Sequence, residues 1–427
     1  MKKRAAILSL LLVAFLAALI AAILFVRSGK RISGPIRHEV YVWQRAWTQP
    51  VRDAVTQHGT NFSEIVPLKA EISWKDKKPQ LTRVAVDYAT LAAAKRPVGL
   101  ALRIGPYVGP FEAGGRITEY ICDVAATLVA EARSNRIELT ELQIDFDCAE
   151  SKLDGYRVWV EAVQRRVTPL PVTITALPSW LDSYAFKRLA AIATNYVLQV
   201  HSVERPRSLD APFSLCDPQA ARRAVEQAGR IGVPFRVALP TYGYTFAFDS
   251  GGKFIGLSAE GPRPNWPANA QLREVSSNPM ELSALVRDWT ASRPEAMRGV
   301  IWYRLPTIVD NFNWRWPTLG AILDSRVPQE KLRVDARRVE PRLVEISLVN
   351  EGDLDISSRL AVEVRWSNAR LVAGDALRDF TLTETGVSGA SFQNKTNSIR
   401  LPAGDTVKAG WLRFDQDCEV RCELKKK

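Results

Sequence analysis

The sequence predicts an α/β fold: a (β/α)8 TIM barrel, preceded by a transmembrane anchor and followed by a β-sandwich. Three observations lead there. The run Ala5–Val26 is apolar and carries no charge. From His38 to about Leu323, short apolar runs alternate with amphipathic stretches, the pattern of strands joined by helices. From about Pro328 helical periods stop and short alternating stretches take over. The implied layout is an anchor and linker over 1–37, the barrel over 38–327 and the sandwich over 328–427.

The totals are consistent with this. A chain of 427 residues with 46% hydrophobic and 24% charged side chains can bury two cores, and extended disorder is excluded. The net charge of +12 would suit nucleic acid, an anionic membrane or an acidic polymer. Lys and Arg are scattered, however, with runs only at Lys2-Lys3-Arg4 and Lys425-Lys426-Lys427. No zinc-finger spacing or RNA-binding aromatic signature is present, so no nucleic-acid partner is expected. The three His are isolated, so no metal is expected. No Gly-x-Gly-x-x-Gly follows the first strand, and no cofactor is expected.

As a helix rising about 1.5 Å per residue, Ala5–Val26 spans a bilayer core of roughly 30 Å. It is long for a signal peptide, and no small-x-small cleavage site precedes Arg27. It reads as an uncleaved single-pass anchor. Basic residues are balanced on its two sides, but a very short N-terminal tail usually stays inside. The anchor is therefore expected in the inner membrane, with the body in the periplasm or outside the cell. Cys418 and Cys422 are close enough in sequence to bridge across a terminal turn, which export would permit.

Eight strands are expected at Val40–Trp43, Ile65–Ile72, Val98–Ile104, Leu142–Asp147, Val172–Leu177, Tyr196–Val200, Phe235–Leu239 and Val300–Leu305. Helices are expected at Thr118–Arg133, Leu153–Arg166, Ser183–Ala193, Pro218–Arg230 and Pro279–Ser292. After the seventh strand comes a long irregular piece, Phe246–Asn278, expected to be functional or a small inserted subdomain. Alternating stretches at Leu343–Val349, Leu360–Trp366, Phe380–Thr383, Ser398–Leu401 and Val407–Phe414 outline the sandwich.

Barrel enzymes place their chemistry at the C-terminal ends of the strands. Here those ends hold Arg103, Asp145 and Asp147, Trp180, His201, Tyr242, and Trp302 with Arg304. The loop after the eighth strand adds Asp310. Acids, cations and aromatics on one face suit sugar rings, whose C–H faces stack on aromatics while hydroxyls bind the acids. The centre is Gln143-Ile144-Asp145-Phe146-Asp147-Cys148. Side chains alternate along a strand, so Asp145 and Asp147 share one face. Two like charges there are costly to bury unless paired, hydrogen-bonded or protonated, which marks a site.

On these residues the chain resembles the chitinase-type family 18 glycoside hydrolases, whose fourth strand carries Asp-x-x-Asp-x-Asp-x-Glu. Asp145 and Asp147 match the second and third acids. Pro240-Thr241-Tyr242-Gly243-Tyr244 is similar to a Pro-x-Tyr-Gly stretch that closes a late strand in that family, and Trp302 resembles the Trp that ends its last strand. The family's first Asp falls at Leu142 and its acid Glu at Ala149. Glu150 lies next to that position but faces the other way on a strand, so only a bulge or turn would bring it round. The Gln-Ile-Asp-Phe-Asp-Cys stretch also resembles a bacterial family of exported or membrane-anchored proteins of unknown function.

The resemblance implies a glycan partner, bound by Arg103, Trp180, His201, Tyr242, Trp302, Arg304 and Asp310. If the barrel is a hydrolase, Asp147 is central, Asp145 is its deeper partner, and Glu150 or Asp310 is a candidate second acid. Arg103 and Arg304 would balance charge or bind an acidic sugar. The alternative is a barrel that has lost the family's acid Glu and binds glycan without cleaving it. A structural envelope protein, with both acids satisfied internally, is the third reading.

Overall fold

A computed structural model describes residues 30–76, 78–201, 206, 208–259, 264–395 and 399–426. The expected anchor, Ala5–Val26, lies outside the described residues. Among those described, no helix is long and apolar enough to cross a membrane.

Eight parallel strands form the barrel: β1 (Arg37–Val42), β2 (Ile65–Lys75), β3 (Val98–Ile104), β4 (Leu139–Asp145), β5 (Val172–Ala176), β6 (Tyr196–Gln199), β7 (Phe235–Pro240) and β8 (Met297–Tyr303). Each pairs with the next, and β8 pairs with β1 to close the ring. Both faces of such strands are covered, which is why they read as apolar runs.

The helices follow in alternation. They are α1 (Gln49–His58), α2 (Tyr88–Ala94), α3 (Arg116–Ser134), α4 (Leu153–Val167), α5 (Tyr184–Ala193), α6 (Pro218–Ile231), α7 (Pro279–Ala291) and α8 (Trp316–Leu323). Asp217 and Asn278 cap α6 and α7, each accepting from two backbone amides of the first turn, with Pro in that turn. The sequence reading had no α1, α2 or α8. The first buries only Val51, Ala54 and Val55, and the other two are seven and eight residues long, too short for a clear period.

Behind β4, Leu142, Ile144 and Phe146 point out of the barrel. Tyr156 of α4 donates to the Ile144 carbonyl at 3.0 Å, and Phe146 packs 5.1 Å from Tyr156 and 5.2 Å from Trp159. This packing sets the phase of β4 and turns Glu141, Gln143 and Asp145 inward.

The stretch after β7 expected to be irregular, or a small inserted subdomain, contains strands among its described residues. Gly243–Phe248 is the central strand of a three-stranded antiparallel sheet, flanked by Phe254–Ser258 and Gln271–Ser276. Tyr242, Tyr244, Phe246 and Phe248 form its core with Leu215. Its Gly, Pro and Asn residues hid three short strands.

By packing, the chain divides between Asn313 and Trp314. In the second unit, segment 314–331 is tied to the start of the sandwich. Thr318 donates to the Asp353 carbonyl, and Arg326 and the Gln329 amide reach the Asp353 carboxylate at 3.2 and 3.1 Å. The sandwich has two antiparallel four-stranded sheets. One runs Leu332–Glu340, Leu343–Asn350, Thr406–Phe414, Leu371–Ala376. The other runs Phe380–Glu384, Gly389–Asn394, Leu360–Trp366, Val420–Lys426. Ile346, Leu348, Val362, Phe380, Phe392 and Leu412 are buried in the core. All five cysteines are free thiols, so the expected Cys418–Cys422 bridge is absent. Cys422 lies in an extended strand opposite Val364, and that backbone leaves the two thiols unpaired.

Gly410 is where this sheet has no room. A Cβ there would sit 2.3 Å from the Asp375 carbonyl and 2.3 Å from the Phe392 ring. Gly410→Ala should destabilise the sandwich by about 1–3 kcal/mol. Urea denaturation followed by Trp fluorescence reads this, and an unchanged midpoint would mean the sheet yields freely.

Candidate active site at the barrel mouth

The strand ends enclose a cavity of about 360 Å³. β1 and its end supply Tyr41 and Trp43, β3 supplies Arg103, and β4 with the residues after it supplies Asp145 and Asp147. Thr175, Leu177, Gln199, His201, Ala238, Tyr242, Tyr244 and Tyr303 complete the wall.

Asp145 is buried at the floor. Its Oδ1 accepts from Thr175 Oγ1 at 2.9 Å and Gln199 Nε2 at 3.3 Å, while Arg103 Nε lies 3.8 Å from Oδ2. Burial raises its pKa, partly offset by Arg103 and these hydrogen bonds. β4 ends at Asp145, two residues earlier than expected, because its ladder with β5 runs only from Leu142 to Ile144. Asp147 therefore lies beyond the strand, open to solvent at the rim, and still reaches the cavity. Its carboxyl is crowded by the cavity walls and repelled by Asp145, and its pKa is pushed up to about 6. Gln199 Nε2 is also 3.5 Å from Asp147 Oδ1, so one amide donor serves both carboxyls. That geometry makes it costly to ionise both carboxyls together.

His201 is buried, with Nδ1 3.1 Å from the Tyr242 hydroxyl. Burial lowers its pKa to about 4, so it is neutral at pH 7. Its Nε2 has no hydrogen-bond partner among the described residues.

The other expected residues fall outside this cavity. Trp180 is 1% exposed behind β5, with its ring 6.5 Å from Tyr156 and 6.1 Å from Phe186, and offers no face to a sugar. Trp302 is fully buried on the outer side of β8, where its indole donates to His38 Nδ1 at 3.2 Å. Alternation gives the inward position to its neighbour Tyr303. Glu150 opens a short 3-10 turn, is exposed and does not line the cavity, so the turn does not bring it round. Asp310 braces its own loop: Oδ1 holds Arg304 at 2.8 Å and Oδ2 holds the Thr307 amide and hydroxyl at 3.0 and 2.9 Å. Arg304 lines an adjoining lobe of the mouth.

Sequence reasoning missed Tyr41, Trp43, Thr175, Gln199 and Tyr303. Their signal was position at an inward-facing strand end, without a charge to draw notice. Among the described residues, no group of three or more His, Cys, Asp or Glu could hold a metal ion.

Beneath the site lies a buried charged layer. Arg236 of β7 reaches Glu39 of β1 at 2.6 Å and Glu141 of β4 at 2.7 Å. Gln143 donates to Glu141 and accepts from Tyr41 at 2.6 Å, which links the layer to the cavity wall.

The fold and mouth define a closed parallel (β/α)8 barrel with a paired-carboxyl site after its fourth strand. Residues 114–308, from just before α3 to just after β8, match a family described as a domain of unknown function, DUF3142. No curated protein matches. Among solved structures, the chain is similar to the spore cortex-lytic enzyme SleL of Bacillus cereus, at 11% identity over 69% of this chain and 75% of that one, with a TM-score of 0.49. It is also similar to a chitinase from Chromobacterium violaceum, at 13% identity over 68% and 98%, with a TM-score of 0.45. A third is the chitinase ChiB of Flavobacterium johnsoniae, at 12% identity over 69% and 94%, with a TM-score of 0.44.

Proposed function

We propose that the barrel mouth hydrolyses glycosidic bonds, with Asp147 as proton donor to the leaving oxygen and Asp145 as the carboxylate facing the anomeric carbon. The observation that carries this is the sharing of Gln199 by two carboxyls in an aromatic-walled cavity, with Asp147 titrating near 6. A general acid works best with a pKa near the working pH, and a deeper partner carboxylate can stabilise an oxocarbenium-like centre. Trp43, Tyr242 and Tyr303 line the cavity, so a bound sugar ring would lie against an aromatic wall.

One observation favours a second reading, glycan binding without cleavage. Ala149 stands where the family 18 hydrolases carry their acid, and Glu150 is exposed and does not line the cavity. Incubating the full chain with bacterial envelope and exopolysaccharides, and following released reducing ends, separates the two. Release supports the hydrolase. Saturable binding without release overturns it in favour of the binding barrel.

The pH profile gives an independent test. The active form needs Asp147 protonated, so kcat/KM should be highest below about pH 6 and fall roughly tenfold per unit above it. Initial rates from pH 4 to 9 read this, and a rate that rises through pH 6 would assign Asp147 the wrong role.

The uncharged run Ala5–Val26 supports placing the chain in the inner membrane as a single-pass protein, with the barrel and sandwich on the outer side. The polymer acted on would then be an envelope or extracellular polysaccharide.

A further inference from the structure

The mouth has a second lobe of about 270 Å³. It shares Trp43, Arg103, Tyr242, Tyr244 and Tyr303 with the first, and the inserted sheet forms its far wall through Leu257 and Ala259. Its lining has three guanidiniums, Arg45, Arg103 and Arg304, and no carboxylate. The first lobe has two carboxyls and one guanidinium. The charge of the wall therefore changes sign between two adjoining lobes.

The three arginines are held differently. Arg45 forks onto Glu71 at 2.6 and 2.9 Å, and Arg304 is fixed on Asp310 at 2.8 Å. Arg103 stands at the junction of the lobes. Its nearest carboxylates are Glu71 at 3.9 Å and Asp145 at 3.8 Å, both beyond hydrogen-bond reach. Among the described residues its guanidinium makes no hydrogen bond. A planar fork with its donors uncommitted, in a partly closed groove, matches a carboxylate in geometry and charge.

We propose that this second lobe binds the carboxylate of an acidic sugar unit, adjacent to the unit held at Asp145 and Asp147, with Arg103 as the receiving fork. The substrate class is an anionic polysaccharide, and this rests on the glycan reading of the mouth. Arg45 and Arg304 are each balanced by a carboxylate, so the surplus positive charge of the lobe is that of Arg103, while Asp145 and Asp147 repel the carboxylate from the first lobe. An acidic chain therefore has one register in the groove. A hexuronate ring and a lactyl ether on a neutral ring both present this carboxyl group.

Calorimetry on the full chain tests this with three tetramers: glucuronate, its carboxyl-reduced neutral counterpart, and a tetramer bearing lactyl ethers. The parent should bind an acidic tetramer roughly 10-fold tighter than the neutral one, because a charged hydrogen bond is gained. That ratio should shrink from 50 to 300 mM salt. Whichever acidic tetramer gains identifies the source of the carboxyl. Arg103→Gln should bring the ratio of acidic to neutral affinity to about one, and the ratio within each protein, not the absolute neutral affinity, is what is read. Equal affinity for acidic and neutral tetramers in the parent overturns the proposal and leaves the glycan site standing. A ratio that survives Arg103→Gln overturns the role of Arg103. Failure of every tetramer to bind overturns both readings. If Arg103→Gln does not fold, the ratio and salt dependence of the parent decide.

Discussion

Asp147→Asn should lower kcat by roughly 10²- to 10⁴-fold while leaving glycan affinity within a few-fold, because positioned acid catalysis contributes about that much. The replacement is nearly isosteric, and its carbonyl can still accept from Gln199 Nε2, which lies 3.5 Å from the native oxygen. It cannot protonate a leaving oxygen. It also removes the charge that repels Asp145, so the deeper carboxyl should ionise more easily. The fall in rate above pH about 6 should therefore disappear together with most of the rate. Reducing-end release by parent and variant across pH 4 to 9 reads both effects. Full activity in Asp147→Asn, with the same pH dependence, would remove Asp147 from the chemistry.

Arg236→Met is expected to produce the largest loss of stability, about 3–5 kcal/mol. The guanidinium is 5% exposed and pairs with Glu39 and Glu141, themselves 8% and 7% exposed, at 2.6 and 2.7 Å. Methionine fills much of the volume and leaves both acids buried without a counter-charge. Adding Glu39→Gln and Glu141→Gln should recover much of the loss, because the cost lies in the orphaned charges rather than in the missing Arg. Urea denaturation at pH 7 compares the variants, with the barrel and sandwich transitions fitted separately. A single variant as stable as the parent would mean that water or another group neutralises the layer.

Much of the fold was legible because parallel barrel strands are covered on both sides and appear as uninterrupted apolar runs. The run at Val98–Ile104 was placed at its observed ends for this reason. Element ends and short helices were less legible. α1 begins after Trp47-Thr48 with a largely polar surface, and its buried face of three residues is too small to set a period. In the site, Asp145 and Asp147 stood out because charge on an apolar strand is costly. Gln199 carries no charge, and its value lies in bridging two groups from another strand, which spacing along the chain cannot reveal.

Of the three expected aromatics, Tyr242 lines the cavity while Trp180 and Trp302 do not. At a strand end one residue separates a cavity wall from a helix-facing core, and Trp302 and Tyr303 fall on opposite sides of that division. Trp180 lies past its strand, where alternation no longer applies. The buried layer under the site was hidden for another reason. Glu39, Glu141 and Arg236 are far apart in sequence, and only barrel closure brings them together.

The tie between β1, β4 and β7 also governs how the barrel can close. A slip of one residue in β7 would turn Arg236 outward and bring Phe235 or Val237 into its place, facing two acids with no partner. Misregistered rings are thus penalised by charge as well as by packing. The arginine also arrives late: Glu39 and Glu141 are synthesised before it, and the first six strands must hold two unneutralised acids until β7 is in place. Seating β7 and supplying the counter-charge to the layer are therefore a single event.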